Sequence, residues 1–446
     1  MTDFLSEYAA YELRYGQPDR FELMLCDVHG IWRGKWFNGT DADKIMDGQA
    51  RMPLSAYAPT VMGYDAPGSG LGIVNGDPDG ILEPVEDSLC RVPWAEGHVA
   101  QLQVEMRDTT GATSWLSTRQ ILVEMLDRFQ SQNLQPVLAT ELEFYVYPAR
   151  AHTDSPPMPP EHSPRAQNYE LNILTRNDRF LTDIQNSAIA QGLPTDTLIA
   201  EFGPGQFEIN FKHTDDVLFA ADAALLFRRL VRGVALRHGL EATFAAKPYA
   251  NHPGNGMHAH ISILDKDGEN VFACPEGPND KLLAAVSGAL ATMTELQLVF
   301  APHLNSYRRF QKGSFAPTAP NWGYDHRGAG IRLPSVSGPA ARMEHRICGA
   351  DVNPYLTITA ILGGMLLGLQ NPFPLPLPLD DPKAQPADPL THDWLTAIEN
   401  FEESKNARDF FGNAFVDLFA VLKREELATL TTVISPIEYS TYLARF

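Results

Sequence analysis

At 446 residues, with 44% hydrophobic and 20% charged residues, the chain is long enough for two domains and too ordinary in composition for a disordered protein. A formal net charge of −20 at pH 7 excludes a general nucleic-acid binder, which needs a basic face for the phosphate backbone. An acidic surface suits solubility or the steering of a cationic substrate.

The N-terminal stretch MTDFLSEYAAYELRYGQ lacks the basic start, apolar run and small-residue cleavage site of a secretory leader. Residues 20–36, RFELMLCDVHGIWRGKW, predict two short strands joined by a turn at His29–Gly30. A Gly- and Pro-rich stretch runs from Ala66 to Pro93, with turns expected at Asn75–Gly76 and Asp79–Gly80. Gln101 to Met106 alternates as a strand does. Ser117 opens a helix as N-cap, with Gln120 in the capping-box position and Ile121, Leu122, Met125, Leu126 and Phe129 as one apolar stripe. The domain boundary is placed just before it, dividing 1–113 from 114–446. Beyond it strands alternate with helices, the latter at roughly 215–237 and 280–300. Two Pro-rich segments, Ser155–Pro164 and Pro372–Pro389, are expected as surface loops. The longest apolar run, Tyr355–Leu369, is broken by threonines and glycines and is shorter than the ~20 residues of a spanning helix, so it reads as a buried core helix and no membrane partner is expected. Cys26, Cys90, Cys274 and Cys348 lie far apart without CxxC spacing, as expected of reduced thiols in a cytoplasmic protein.

Four segments carry chemistry on every second residue. PVLATELEFYVY puts Glu141 and Glu143 on one face of a strand, and GPGQFEINF does so with Gln206, Glu208 and Asn210, with Glu201 just upstream. GMHAHISIL aligns His258, His260 and Ser262, and RMEHRICG aligns Arg342, Glu344 and Arg346. A solvated sheet face alternates too, but it mixes Lys, Thr, Ser and Gln, whereas these faces repeat Glu, His and Arg. If the four faces line one cavity, their five glutamates repel one another unless cations neutralise them, and oxygen-rich ligands with a histidine suit Mg²⁺ or Mn²⁺ better than Zn²⁺. Arg309, Arg327, Arg332, Arg342 and Arg346 offer forks for phosphate and carboxylate, which is the equipment of phosphoryl transfer. No GxxxxGK[ST] sequence occurs, which excludes a P-loop enzyme.

In order along the chain, DVHGIWRGK, TELEF, GPGQFEIN, KPY, NGMHAH, NSYRRF, GIRLP and RMEHRICGADVNPYL resemble the glutamine synthetase superfamily, and ELEFY, HTDDVL, ATFAAKPY and NSYRRFQ resemble its glutamate–putrescine ligase branch. The resemblance implies an α+β fold: an N-terminal β-grasp domain and a larger catalytic domain with an antiparallel, barrel-like sheet flanked by helices. It further implies a homo-oligomer, a dodecamer of stacked rings with active sites between subunits. The activity implied is an ATP-dependent ligase joining the γ-carboxylate of L-glutamate to an amine through γ-glutamyl phosphate. One metal site would fall on Glu143, Glu201 and Glu208, and a second on Glu141, His258 and Glu344. Glutamate would meet Glu143, Gly254, His258, Arg309 and Arg346. ATP would meet His260, Ser262, Arg327, Arg332 and Asp196, with Arg309, Arg332 and Glu344 carrying catalysis.

Two departures concern the acceptor. The family's acidic FDGSS-type segment is replaced by RMPLSAYAP (Arg51–Pro59), and its PGYEAP flap by KGSFAP, with Phe315 at the position of the flap glutamate. The family's Asn before Gly254 is Pro253. Losing two carboxylates removes the groups that would recognise ammonium and leaves an apolar entrance suited to a carbon-bearing amine, with Phe315 and Trp322 as candidate lining. Putrescine or another polyamine leads; ethanolamine, isopropylamine, methylamine, anilines and ordinary glutamine synthesis from ammonia stay open. A non-catalytic homologue would have no reason to keep its metal and phosphate ligands complete. Cys26, Cys90 and Cys348 read as core thiols, Trp36 and Trp115 as core or subunit contacts, and His29 and His345 as structural.

Overall fold

The computed structural model describes residues 4–108, 110–311 and 314–446. Lys312 and Gly313 of the flap lie outside that set, as do Met1–Asp3 of the N-terminal stretch.

Among the described residues the strands form two sheets. The first uses β1 (Arg20–Cys26), β2 (Trp32–Asn38), β3 (Arg51–Pro53), β4 (Asp79–Pro84), β5 (Cys90–Arg91) and β6 (Val99–Arg107), in the order β2-β1-β6-β4-β3 with β5 also on β6. The pair β1–β2 is antiparallel, joined at the predicted His29–Gly30 turn, whereas β1–β6 is parallel. Helix Phe4–Tyr15 lays Phe4 and Tyr8 against Phe21. Asp79–Gly80 is not the expected turn: both residues begin β4 and pair with β3, because the reversal is completed upstream at Gly76, whose φ is +82°.

The second sheet uses β7 (Leu134–Pro148), β8 (Thr195–Ala200), β9 (Gln206–Phe211), β10 (Leu240–Thr243), β11 (Met257–Asp265), β12 (Trp322–Tyr324), β13 (Ile331–Ser335) and β14 (Arg342–His345). Its order is β12-β13-β14-β11-β7-β9-β8, with β10 also on β7. It is antiparallel as expected except where β12 meets β13 in parallel. An antiparallel, barrel-like sheet flanked by helices is what the resemblance implied for the larger domain.

Leu142, Phe144, Phe207, Ile209, Ala259, Ile261 and Met343 are all buried, so one face of the sheet is core and the alternate, polar face turns inward to the cavity described below. Ser117 caps helix Thr118–Gln130 by accepting from the Gln120 N–H, and the predicted stripe packs against the helix Pro354–Gln370 and β7. That second helix is the Tyr355–Leu369 run, buried over most of its length as expected. The predicted 280–300 helix is instead two, Asp280–Met293 and Gln297–Phe300, with the chain turning between them at Thr294–Leu296. The first crosses the helix Pro354–Gln370 backbone to backbone: a Cβ at Gly288 would stand 2.1 Å from the Gly364 carbonyl oxygen, and one at Gly368 2.1 Å from that of Ala284. Only glycine permits this approach. No helix among the described residues is long and apolar enough to cross a membrane.

A buried polar knot ties the first sheet to the helices Thr118–Gln130, Val217–Arg237 and Pro354–Gln370. Asp222 accepts both from Arg119, through Nε and Nη2 at 3.1 Å each, and from the Tyr355 hydroxyl, while Gln103 of β6 donates to Asp222 and to Tyr355. Each polar group there has a partner, which makes its burial tolerable.

Candidate active site

Strand register assembles the site. On β7 and β11, Glu141 stands opposite His258; on β11 and β14, His260 stands opposite Glu344; on β13 and β14, Arg332 stands opposite Glu344. On β7 and β9, Glu141 faces Asn210 and Glu143 faces Glu208. Directly opposed residues of antiparallel strands have their Cβ atoms ~5 Å apart on the same face, so these side chains meet without any loop being recruited.

The meeting is tight. His258 Nδ1 lies 2.9 Å from Glu141 Oε2, and His260 Nε2 lies 3.0 Å from Glu141 Oε1. The fully buried Glu344 accepts from Arg332 Nη1 at 3.0 Å and pairs with Arg346 Nη1. Glu143 accepts from the Gly256 N–H at 2.7 Å, and Asn210 donates to Glu208 at 3.1 Å. Burial and the neighbouring Glu141, Glu143 and Glu201 push the Glu208 carboxyl up to about 10, and burial with Glu201 lifts Glu143 to about 7. Glu141 goes the other way: burial opposes its charge, but the hydrogen bonds from His258 and His260 outweigh it and hold the carboxyl well below its usual range. Burial and Arg346 push His258 toward the neutral form that ligates metals.

Two groups of donors come within 4.8 Å of one another: Glu141, Glu208 and His258, and Glu141, His260 and Glu344. These residues fit a divalent cation, since several carboxylates and a neutral imidazole are crowded where positive charge would relieve their repulsion. Both groups draw on the expected sites, Glu208 from the first and Glu141, His258 and Glu344 from the second. Glu141 belongs to both groups, and His260, expected to meet ATP, completes the second. Glu143 and Glu201 stand in the same cavity but outside both groups.

The cavity, of about 530 Å³, is lined by Glu141, Glu143, Glu201, Glu208 and His258 at its charged end. Gly254, Arg309, Arg327, Arg332 and Arg346 also line it. Arg309 and Arg346 are buried, and the Nε of each has no hydrogen-bond partner, so each presents an unfilled donor. Arg309 is held by its Nη1 bond to the Ile347 carbonyl at 2.9 Å. Gly254 is fixed through its carbonyl, which accepts from Gln206 Nε2 at 3.0 Å, and the Pro253 carbonyl accepts from Tyr145.

Other expected residues fall elsewhere. Ser262 lies farther along β11, opposite Val137, and Asp196 is exposed on β8; neither lines the cavity. Trp322 is buried with its Nε1–H donating to the Pro376 carbonyl at 2.8 Å, so it is a core residue, not cavity lining. Phe315 does line the cavity. Sequence reasoning missed Asn168, Tyr169 and Phe202, which also line it. No sequence signal marked them; in the structure Asn168 and Tyr169 both take positive φ, a conformation Asn tolerates and Tyr rarely adopts. Trp36 and Trp115, expected as core or contacts, are exposed in this chain, and Arg20 stacks over Trp36 at 4.0 Å. Cys26 and Cys348 are buried and Cys90 is half-buried, all as free thiols. The segment Arg51–Pro59 does not line its own chain's cavity.

Residues 116–442 match the glutamine synthetase catalytic domain, so the chain belongs to the glutamine synthetase family and has its fold. Within that family the chain is 35% identical to γ-glutamylputrescine synthetase PuuA of Escherichia coli K12 over 443 residues, covering 98% of this chain and 94% of that one. It is 31% identical to the glutamate–isopropylamine ligase of a Pseudomonas species, over 95% of each chain. Among solved structures, a GmaS–ADP complex superimposes with a TM-score of 0.85 at 25% identity, covering 100% of both chains. Enzymes of this family use a divalent metal and ATP.

Proposed function

We propose that the protein is an ATP-dependent ligase that joins the γ-carboxylate of L-glutamate to an organic amine, with putrescine or another polyamine as the leading acceptor. The observation that carries the reading is that the donor group Glu141, Glu208 and His258 shares one cavity with two buried arginines whose Nε donors are unfilled. The similarity over nearly the whole chain to a γ-glutamylputrescine synthetase and a glutamate–isopropylamine ligase supports an organic acceptor.

Arg309 and Arg346 hold a carboxylate of glutamate, and Gly254 lets the substrate backbone approach. Arg327 and Arg332 lie along the phosphates of ATP. Mg²⁺ or Mn²⁺, two per site on charge grounds, would be held by Glu141, Glu208 and His258 and by Glu141, His260 and Glu344, and would neutralise the phosphate being transferred. The γ-carboxylate oxygen attacks the terminal phosphorus, releasing ADP and leaving γ-glutamyl phosphate. The amine nitrogen then attacks the acyl carbon; a C–N bond forms, the C–O bond to phosphate breaks, and the ammonium proton is lost. We extend the reading to a ring-shaped homo-oligomer whose neighbouring subunit closes the site, which sizing of the native protein tests.

The test is phosphate release from glutamate and Mg·ATP across ammonia, putrescine, longer polyamines, ethanolamine, monoalkylamines and aniline. A strong response to one organic amine and a weak one to ammonia is expected; preference for ammonia would replace the reading with glutamine synthesis. Glu344→Gln or His258→Ala is expected to lower Mg²⁺-dependent turnover by about 100-fold or more, and full activity in either variant would remove the metal assignment.

A further inference from the structure

The charged residues of the cavity account for ATP, metal and glutamate, but not for the aromatic groups that line it beside them. Phe202 and Phe315 both line the cavity, their ring centroids 5.0 Å apart and their planes tilted by 53°. Both residues keep much surface open, 37% for Phe202 and 67% for Phe315, although this protein buries most of its phenylalanines. Open aromatic surface facing a cavity is surface an occupant can cover.

We propose that Phe202, backed by Phe315, is the residue that selects the acceptor, receiving the carbon chain of the amine against its ring; this rests on the amine-ligase reading above. Three observations converge on it. First, Phe202 is held in place from both sides: its N–H donates to Glu201 Oε2 at 3.3 Å, and its carbonyl accepts from the Gln167 N–H at 2.9 Å. The backbone that carries the ring is therefore fixed next to the Glu201 carboxylate, where the acyl group would be attacked. Second, Phe315 has φ +63°, a left-handed conformation unfavourable for a bulky residue, and it is in this conformation that its ring meets Phe202. Third, the carboxylate of Glu201 stands directly against Phe202, and Phe315 occupies the position where the resemblance implies a second carboxylate, so the aromatic residues offer one carboxylate for a nitrogen and two rings for a carbon chain. Recognition there falls to apolar contact with methylenes and, for a diamine, to the ring faces under the distal ammonium. Ammonia has no carbon to bury and gains nothing from the rings.

The expected effect follows from the number of methylenes covered. Each buried methylene is worth about fourfold in binding, so two in contact with the ring give about 15-fold. Phosphate release is measured for the wild-type protein, Phe202→Ala, Phe202→Leu and Phe315→Ala with putrescine, n-butylamine and ammonia. The ratio of kcat/KM for either organic amine to that for ammonia is expected to fall more than tenfold in Phe202→Ala, chiefly through KM, and to be largely restored in Phe202→Leu. Phe315→Ala is expected to lower the same ratio by a smaller factor. An unchanged ratio in Phe202→Ala, or an equal loss for all three acceptors, would overturn the assignment. A wild-type protein that uses ammonia and neither organic amine would overturn the underlying ligase reading instead, and that outcome is read before any variant is made.

Discussion

Glu344 shows how much one position does here. Fully buried, it is touched by Arg332 and Arg346, with His258 and His260 nitrogens at 3.7 and 3.9 Å, so its charge is surrounded by groups that would be stranded without it. Gly254 makes the converse point, since what matters there is the absence of a side chain. A Cβ would stand 2.4 Å from the Ala246 carbonyl oxygen and 2.7 Å from Arg309 Cγ, and the backbone atom cannot yield as a flexible side chain could. Gly254→Ala is therefore expected to displace Arg309 and to raise the KM for glutamate at least tenfold, with a smaller effect on the KM for ATP. A matched pair of KM titrations checks this, and equal changes in both would argue against a glutamate contact at Gly254. The charged residues were readable in the sequence because polar groups at every second position of a strand must share a face, and the observed registers turn that face into one cluster. Phe202 was not, because a phenylalanine after a strand looks like core until its exposure is seen. Trp322 failed in the opposite sense: proximity in sequence to the flap says nothing about which way an indole points.

The β1–β2 turn and the helix Asn413–Thr431 lie almost 400 residues apart yet share one buried cluster. His29 Nε2 donates to the Pro59 carbonyl at 2.8 Å, and Lys423 Nζ donates to His29 Nδ1 at 3.0 Å; these partners require the neutral tautomer with its proton on Nε2. Lys423 also donates to Glu426 Oε2 at 3.0 Å, and Glu426 Oε1 accepts from the Val61 N–H at 2.8 Å. Lys423 and Glu426 are both fully buried, so neither can lose its partner cheaply. Lys423→Met is expected to cost about 3–5 kcal/mol of stability by leaving the Glu426 charge unpaired, and Lys423→Met with Glu426→Gln to recover much of it. Urea unfolding of the three proteins decides this; a double variant no more stable than the single one would mean that lost packing, not the stranded charge, sets the cost. The strands of this turn were predictable from residues 20–36, and so was a structural role for His29. Its partners were not, because nothing local in DVHG points to a lysine on the last long helix. The same limit explains the 280–300 helix: apolar periodicity continues through Thr294–Leu296, and the chain breaks there to seat Gln297, whose side chain bonds Thr391 at 2.8 and 3.0 Å.

The fold as a whole holds ionisable groups of opposite tendency out of water, and its response to pH is their sum. Burial pushes His29 and His303 well below the ordinary imidazole range, with Lys423 the next cause for each; their rings lie 6.1 Å apart. Around them stand Arg33, Arg228, Glu426 and the carbonyl of Pro59. Both imidazoles stay neutral in the folded protein while the unfolded chain takes up protons below pH ~6.5, so each contributes stability that is complete above that pH and is lost as pH falls through it. Raised carboxyls act with the opposite sign over an overlapping range: Asp27, pushed up to about 6 by burial despite Arg33, and Glu105, pushed up to about 7 by burial despite the Ser117 hydroxyl, bind protons in the folded state first and favour it as pH falls. The wild-type curve alone therefore cannot isolate one group, but a difference between two proteins can. His29→Gln keeps a donor for the Pro59 carbonyl and removes the titration. Its stability deficit relative to wild type, measured by urea unfolding, is expected to shrink by about 1.4 kcal/mol between pH 7.5 and pH 5.5, because His303 is common to both proteins and only the wild type must also keep the His29 imidazole neutral. A deficit that stays constant over that interval would mean that His29 takes up its proton equally in both states and that Lys423 yields to accommodate it.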